Sequence, residues 1–176
     1  MLQREAFIKK MNIELLSRRY FVRRLTEDDI AAIYELCRKN TLFYKYCPPF
    51  VTNERIVNDM KALPPNKDYD DKFYLGYYDG EKLIAVIDLI LRFPNDDTAF
   101  VGFFTTDVSA QNSGVGSGII DELSSCLKKI GFSSIRLGWV KGNPQAEHFW
   151  KKNGFAETGV TYDTNGYTVV VAQRVL

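Results

Sequence analysis

The stretch DVSAQNSGVGSGIIDELSSCLKKIGF, residues 107–132, constrains this chain more than any other. Ile119, Ile120, Leu123, Leu127 and Ile130 recur at three- and four-residue intervals, which is one face of an amphipathic helix. Its first turn nevertheless carries Gly114, Gly116 and Gly118. Each glycine inside a helix costs about 0.8–1.0 kcal/mol against alanine. A helix start leaves its first backbone N–H groups without partners and gathers partial positive charge. Glycine removes the Cβ and lets a ligand reach those amides. A strand, a turn with glycines two apart and then a helix therefore suit a pyrophosphate. Tight packing of the helix on a sheet would ask for the same residues. A dinucleotide-binding reading is disfavoured, because the GxGxxG spacing is absent and the segment follows antiparallel strands.

Those strands are read from the middle of the chain. KFYLGYY and KLIAVIDLIL flank Asp79-Gly80, a hairpin signal, and FPNDD turns the second into TAFVGFFTTD. The spacing predicts a three-stranded antiparallel meander over residues 72–107. Upstream, residues 2–16 place Phe7, Met11 and Leu15 four apart and predict a helix, and residues 20–26 predict a short strand. Thr26 with Glu27, Asp28 and Asp29 forms a capping box for a helix to about Lys39, with Ile30, Ile33, Tyr34 and Cys37 inward. NTLFYKYCPPF reads as an aromatic loop, and a helix follows from Asn53 to Ala62, before Pro64 and Pro65 stop it. After the glycine-rich helix come the strand SSIRLGWV and a helix capped by Asn143, with Pro144 first and Gly154 past its end. Two last strands surround Asn165-Gly166.

Bulk properties narrow the function classes. With 176 residues the chain fits a single domain over 1–176, residues 1–18 being an N-terminal extension. A net charge of +1 argues against nucleic acid or an anionic membrane as partner. Three cysteines without CxxC spacing argue against a metal site and suit a reducing, cytoplasmic setting. The start of the chain lacks an apolar signal core, and LIAVIDLIL, broken by Asp88, is too short to span a bilayer.

Gln111-x-x-Gly114-x-Gly116 resembles the [Q/R]-x-x-G-x-[G/A] motif of the GNAT superfamily of N-acetyltransferases. NPQAEHFWKKNGF is similar to that family's later helix motif at Asn143, Ala146, Gly154 and Phe155, and the element order from Tyr20 to Leu176 fits as well. The resemblance implies an α/β fold of mixed α+β type: a twisted, mostly antiparallel seven-stranded sheet with helices on both faces. It implies acetyl-CoA as cosubstrate and no metal. The amides of Asn112, Ser113, Gly114, Val115, Gly116 and Ser117 would hold the CoA pyrophosphate. Phe104, Thr105 and Thr106 would pair with the pantetheine arm, and Asn143 would contact the cofactor. Lys141, Lys151 and Lys152 lie nearby as counter-charges or plain surface lysines. The implied reaction moves an acetyl group directly to a primary amine of a small molecule or peptide, in a ternary complex. Homodimerisation is left open.

The chain departs from the family where proton transfer is concerned. Trp150 stands where many members have a tyrosine, and Gly138 where some have a glutamate. Trp150 is thus expected to wall the thioester pocket. Asp88, on a strand face with Ile84, Val86 and Ile90, is a candidate base whose alternative is an ion pair with Arg92 or Arg136. Tyr44, Tyr46 and Tyr74 are further candidate donors or packing residues. His148 reads as surface, and Asp70 and Asp71 as a loop that could attract a cationic acceptor. No residue is a convincing covalent nucleophile: Cys126 lies in the glycine-rich helix and Cys47 precedes two prolines. The missing tyrosine and glutamate keep a rival open, a catalytically degenerate acyl-CoA-binding sensor or scaffold.

Overall fold

The computed structural model describes residues 11–176. Seven strands form one sheet: β1 (Phe21–Arg24), β2 (Lys72–Asp79), β3 (Lys82–Leu91), β4 (Thr98–Thr106), β5 (Ser134–Val140), β6 (Ala156–Asp163) and β7 (Thr168–Val175). Their order is β1-β2-β3-β4-β5-β7-β6. Every neighbouring pair is antiparallel except β4 and β5. Among the described residues five α-helices accompany them: α1 (Ile30–Cys37), α2 (Thr41–Tyr46), α3 (Asn53–Lys61), α4 (Val115–Lys129) and α5 (Pro144–Lys152). A parallel pair needs a crossover connection, and α4 supplies it between β4 and β5.

Strand alternation gives the sheet two apolar faces. Phe73, Leu75, Tyr77, Ile87 and Leu89 meet Ile119, Ile120, Leu123 and Leu127 of α4 on one side. Tyr74, Tyr78 and Val86 meet Ile33, Leu36, Cys37 and Ile56 of α1 and α3 on the other. The expected mostly antiparallel sheet with helices on both faces is therefore what the chain forms. Thr26 caps its helical turn as the sequence indicates, accepting from the Asp28 amide, while Asp29 reaches back to the Thr26 amide.

Two local expectations differ from the structure. The helix read over residues 2–16 falls partly on residues 1–10, outside the described residues. Within the described part only Ile13–Leu16 is helical, as a single 3-10 turn with Leu15 69% exposed. Met11 and Leu16 are buried in the α4-side core instead, and the Ser17 hydroxyl donates to Glu122 on α4 at 2.6 Å. Tertiary anchoring there outweighs the four-residue apolar spacing. The aromatic segment read as a loop is α2. Six residues are too few for a helix to stand alone. It holds because Tyr44 is buried in the α1–α3 core and Phe43 packs edge-on to Phe103 of β4 at 5.7 Å.

Candidate functional site

The site begins where two strands part. β4 and β5 pair only from Thr98↔Ser134 to Val101↔Leu137. Beyond that point Phe103–Thr106 pair with β3 alone, and Gly138–Val140 with β7 alone. The facing edges of β4 and β5 thus open into a V, a cleft of about 510 Å³. That lies within the usual range for small-molecule sites, about 300–1,000 Å³.

At the vertex, β4 carries a bulge: Asp88 pairs with Phe103 and Leu89 with Val101, leaving Gly102 without a partner on β3. A Cβ on Gly102 would stand 2.8 Å from Asp88 Oδ2, so any side chain there would have to displace the carboxylate. An extra residue on one strand raises local twist, and β4 turns away from β5 at this point.

At the mouth, β4 leads through a short turn into α4. Gly114 is the N-cap of α4 with φ of 85°, a left-handed conformation that favours glycine. The first bond of the helical ladder runs from the Gly118 amide to the Gly114 carbonyl at 2.9 Å, so the amides of Val115, Gly116 and Ser117 precede it. Gly116 has a packing reason as well: a Cβ there would approach Phe149 of α5 to 3.1 Å. A Cβ at Gly118 would meet nothing within 4 Å. The three glycines therefore serve conformation, packing and open space respectively. Gln111 has a bracing role, its amide donating to Asn40 Oδ1 at 2.6 Å, while Asn40 in turn donates to the Thr106 carbonyl at 3.1 Å. This ties the turn to the end of β4.

Most of the residues singled out from the sequence come together here. Phe104, Thr105, Thr106, Asn112, Gly114, Gly116, Ser117, Asn143 and Trp150 all line the cleft. Ser113 and Val115 are not among the lining residues. The Ser113 hydroxyl donates to the Ala110 carbonyl, and the Val115 side chain packs on the α4-side core. Asn143 is buried and caps α5, its Oδ1 accepting from the Ala146 amide at 3.2 Å. Trp150 is buried in an aromatic group, with Phe149, Phe155 and Phe104 rings 4.9, 5.1 and 5.8 Å away. His148 and Lys152 reach the cleft from α5, whereas Lys151 pairs with Glu147 and Glu157.

Asp88 is not brought to the cleft. Its carboxylate is buried on the α1–α3 side of β3, with Lys72 Nζ of β2 2.8 Å from each oxygen. The arginines considered as partners are engaged elsewhere, Arg92 with Asp71 and Arg136 with Gln173. Burial pushes the Asp88 carboxyl above its ordinary range, and the Lys72 ammonium opposes that shift. Asp71 is buried between Arg92 and Lys67, so it does not offer a free charge to an acceptor. Tyr44 and Tyr74 are buried in the α1–α3 core, away from the cleft lining.

The far wall of the cleft is built by Phe43 and Cys47 of the aromatic TLFYKYCPPF segment, which the sequence reading assigns to the acceptor cleft, and by Tyr162, Tyr167 and Val169 on the β6–β7 hairpin, which it missed. The Cys47 thiol lies 3.5 Å from the Tyr167 hydroxyl, joining segments 120 residues apart. A Cβ at Gly138 would come within 3.7 Å of the Tyr162 hydroxyl, which places that phenol beside the vertex. No local signal marks the hairpin residues, because their position depends on how the hairpin pairs with β5.

Residues 17–155 match the Acetyltransferase (GNAT) family, so the chain belongs to that family. Among curated protein sequences none matches it significantly. Solved structures with the same fold include an acetyltransferase from Thermus thermophilus, with 17% identity, 89% of this chain and 97% of that one covered, and a TM-score of 0.72. Ard1 from Thermoplasma volcanium aligns with 20% identity over 90% and 98% of the two chains and a TM-score of 0.65. The PaiA N-acetyltransferase from Thermoplasma acidophilum, solved in complex with coenzyme A, aligns with 20% identity over 89% and 99% and a TM-score of 0.63. Among the described residues no helix is long and apolar enough to cross a membrane.

Proposed function

We propose that the protein transfers the acetyl group of acetyl-CoA directly to a primary amine, with both reactants held in the cleft at once. The observation that carries this reading is the unpaired edge of β4 running into a helix N-terminus whose amides precede the hydrogen-bonded ladder. The amides of residues 112–117 suit a pyrophosphate, and the β4 edge at Phe104, Thr105 and Thr106 suits a pantetheine arm bound like an added strand. Asn143 and Trp150 wall the same channel. The coenzyme A complex of the Thermoplasma acidophilum relative supports the choice of cosubstrate.

An arm running from the turn back along β4 ends at the vertex, between Gly102 and Gly138. Acetyl-CoA supplies an acyl group already activated as a thioester, so the protein's task is alignment and proton management. We assign the second to Tyr162, whose hydroxyl would lie 3.7 Å from a Cβ at Gly138. Tyr162 is 50% exposed, and its partial burial raises its pKa, so the phenol keeps its proton through the neutral range and can donate a hydrogen bond to the leaving thiolate, whose charge is that of an acid with the free-cysteine pKa of about 8.5. Tyr162→Phe is expected to lower kcat by about 10²-fold with acetyl-CoA affinity unchanged. In the wild type, kcat should fall on the alkaline side as the phenol ionises, above the ordinary tyrosine value of about 10 because the shift is upward. A pH–rate profile of both proteins checks this: an alkaline limb that persists in Tyr162→Phe removes Tyr162 from the chemistry.

The proposed function is tested by calorimetric titration with acetyl-CoA and by thiol release with a panel of amines. Failure to bind acetyl-CoA overturns it. Binding without thiol release for any amine would favour a sensor or scaffold, the reading that Gly138 and Trp150 keep open by replacing the family's usual acid–base groups.

A further inference from the structure

The acceptor half of the cleft is defined by what its far wall is made of. Phe43, Cys47, Tyr162, Tyr167 and Val169 face the vertex across from β4, and Phe103 closes the floor against Phe43. Among the described residues that line the cleft there is no aspartate or glutamate. Asp59, on α3, lies outside the cleft lining and faces the charges of Arg55 and Lys72, and two strand carboxylates are committed elsewhere. Asp88 is paired with Lys72 on the α1–α3 side of the sheet. Asp163 follows Tyr162, but it is cross-strand partner to Thr168 and accepts that hydroxyl at 2.6 Å. Tyr162 pairs with Val169, and both line the cleft, so by strand alternation Asp163 and Thr168 occupy the opposite face. The cation behind the wall, Arg55, spends its N–H groups on the Cys47 and Pro49 carbonyls and approaches Cys47 Sγ at 3.6 Å.

An ammonium entering such a wall loses hydration and gains no counter-charge, so burial favours the neutral amine. That helps the reaction for the one nitrogen that is acetylated, because only the unprotonated amine is a nucleophile. A further ammonium held against the same wall would find no carboxylate among the lining residues, and this disfavours polycations. Aromatic rings on two sides instead reward a flat or apolar framework.

We infer that the acceptor is a monoamine carried on an apolar or aromatic framework, and that polyamines and aminoglycosides are rejected; this rests on the acetyltransferase reading of the cleft. The test compares 2-phenylethylamine with spermidine in a thiol-release assay, after acetyl-CoA affinity has been measured by calorimetry. The expected kcat/KM ratio favours 2-phenylethylamine by about 10²-fold, since a site without a partner for a buried charge discriminates strongly. In Phe43→Asp the ratio should shift toward spermidine by at least about tenfold while acetyl-CoA affinity holds. Spermidine used as well as or better than 2-phenylethylamine by the wild type overturns the inference. So does acetyl-CoA binding with neither amine acetylated. A protein that binds no acetyl-CoA overturns the acetyltransferase reading itself, which is a separate result. The wild-type comparison stands even where Phe43→Asp does not fold.

Discussion

Gly114→Val is expected to raise the dissociation constant for acetyl-CoA by at least about 10²-fold while leaving a folded protein. Gly114 sits at φ of 85° with no atom within 4 Å of where a Cβ would be, so the obstacle is conformational and not steric. A β-branched residue is a genuine outlier in that region, and left-handed backbone costs L-residues about 1–2 kcal/mol. The turn relieves that cost by re-routing, and its amides lose their common aim. Hydrogen bonds to a charged group are worth about 1.5–3 kcal/mol each. Losing two removes about 3 kcal/mol or more, which is about 10²-fold in affinity. Gly118→Ala is the matched control. Its Cβ position is also open, its φ is not positive, and alanine is the better helix former by about 0.8–1.0 kcal/mol. It should raise the melting temperature and keep affinity for acetyl-CoA. Gly116 is less informative, because a side chain there strikes Phe149 and confounds packing with binding. Calorimetric affinities of Gly114→Val and Gly118→Ala that match each other would show that the turn does not hold the cosubstrate.

Asp88→Leu is expected to lower the unfolding free energy by about 3–5 kcal/mol, the usual cost of leaving a buried charge without its partner. Lys72 is 3% exposed, and without Asp88 its ammonium keeps the Ala62 carbonyl at 2.9 Å, the Tyr74 ring at 5.8 Å and the charge of Asp59. At about 2–4 °C per kcal/mol for a domain of this size, the melting temperature should drop by about 10 °C. Adding Lys72→Met removes the stranded charge, and the double variant should recover most of the loss, since a buried pair is often replaceable by apolar residues of similar volume. The same double variant separates two roles for Asp88. A carboxylate that shapes the Gly102 bulge from behind β4 leaves kcat within a few-fold once folding is restored. A carboxylate that takes the amine's proton cannot be replaced by leucine without losing about 10²-fold or more. Its burial on the α1–α3 side and its bond to Lys72 favour the first outcome. Thermal melts with thiol-release rates per folded molecule check both halves.

Local chemistry by itself determined much of this protein. The strand meander follows from alternation and an Asp-Gly turn, the capped helices from Thr26, Asn143 and Pro144, and the glycine turn from the residue type most at ease with positive φ. These signals act within a few residues, so they survive in a bare sequence, and with them the two motifs that mark the GNAT family. Where elements meet was decided only by the tertiary structure. The parting of β4 from β5 coincides with a bulge at Gly102 that faces Asp88 on the neighbouring strand. Asp88 found Lys72 rather than an arginine because the β2–β3 register sets Tyr74 opposite Asp88 and brings Lys72, two residues along β2, to the same face. The acceptor wall joins Cys47 to Tyr167 and sets Tyr162 over Gly138 by folding the last hairpin against β5. Such contacts are made across long stretches of chain, where packing of whole elements and not the preference of any one residue sets the distance.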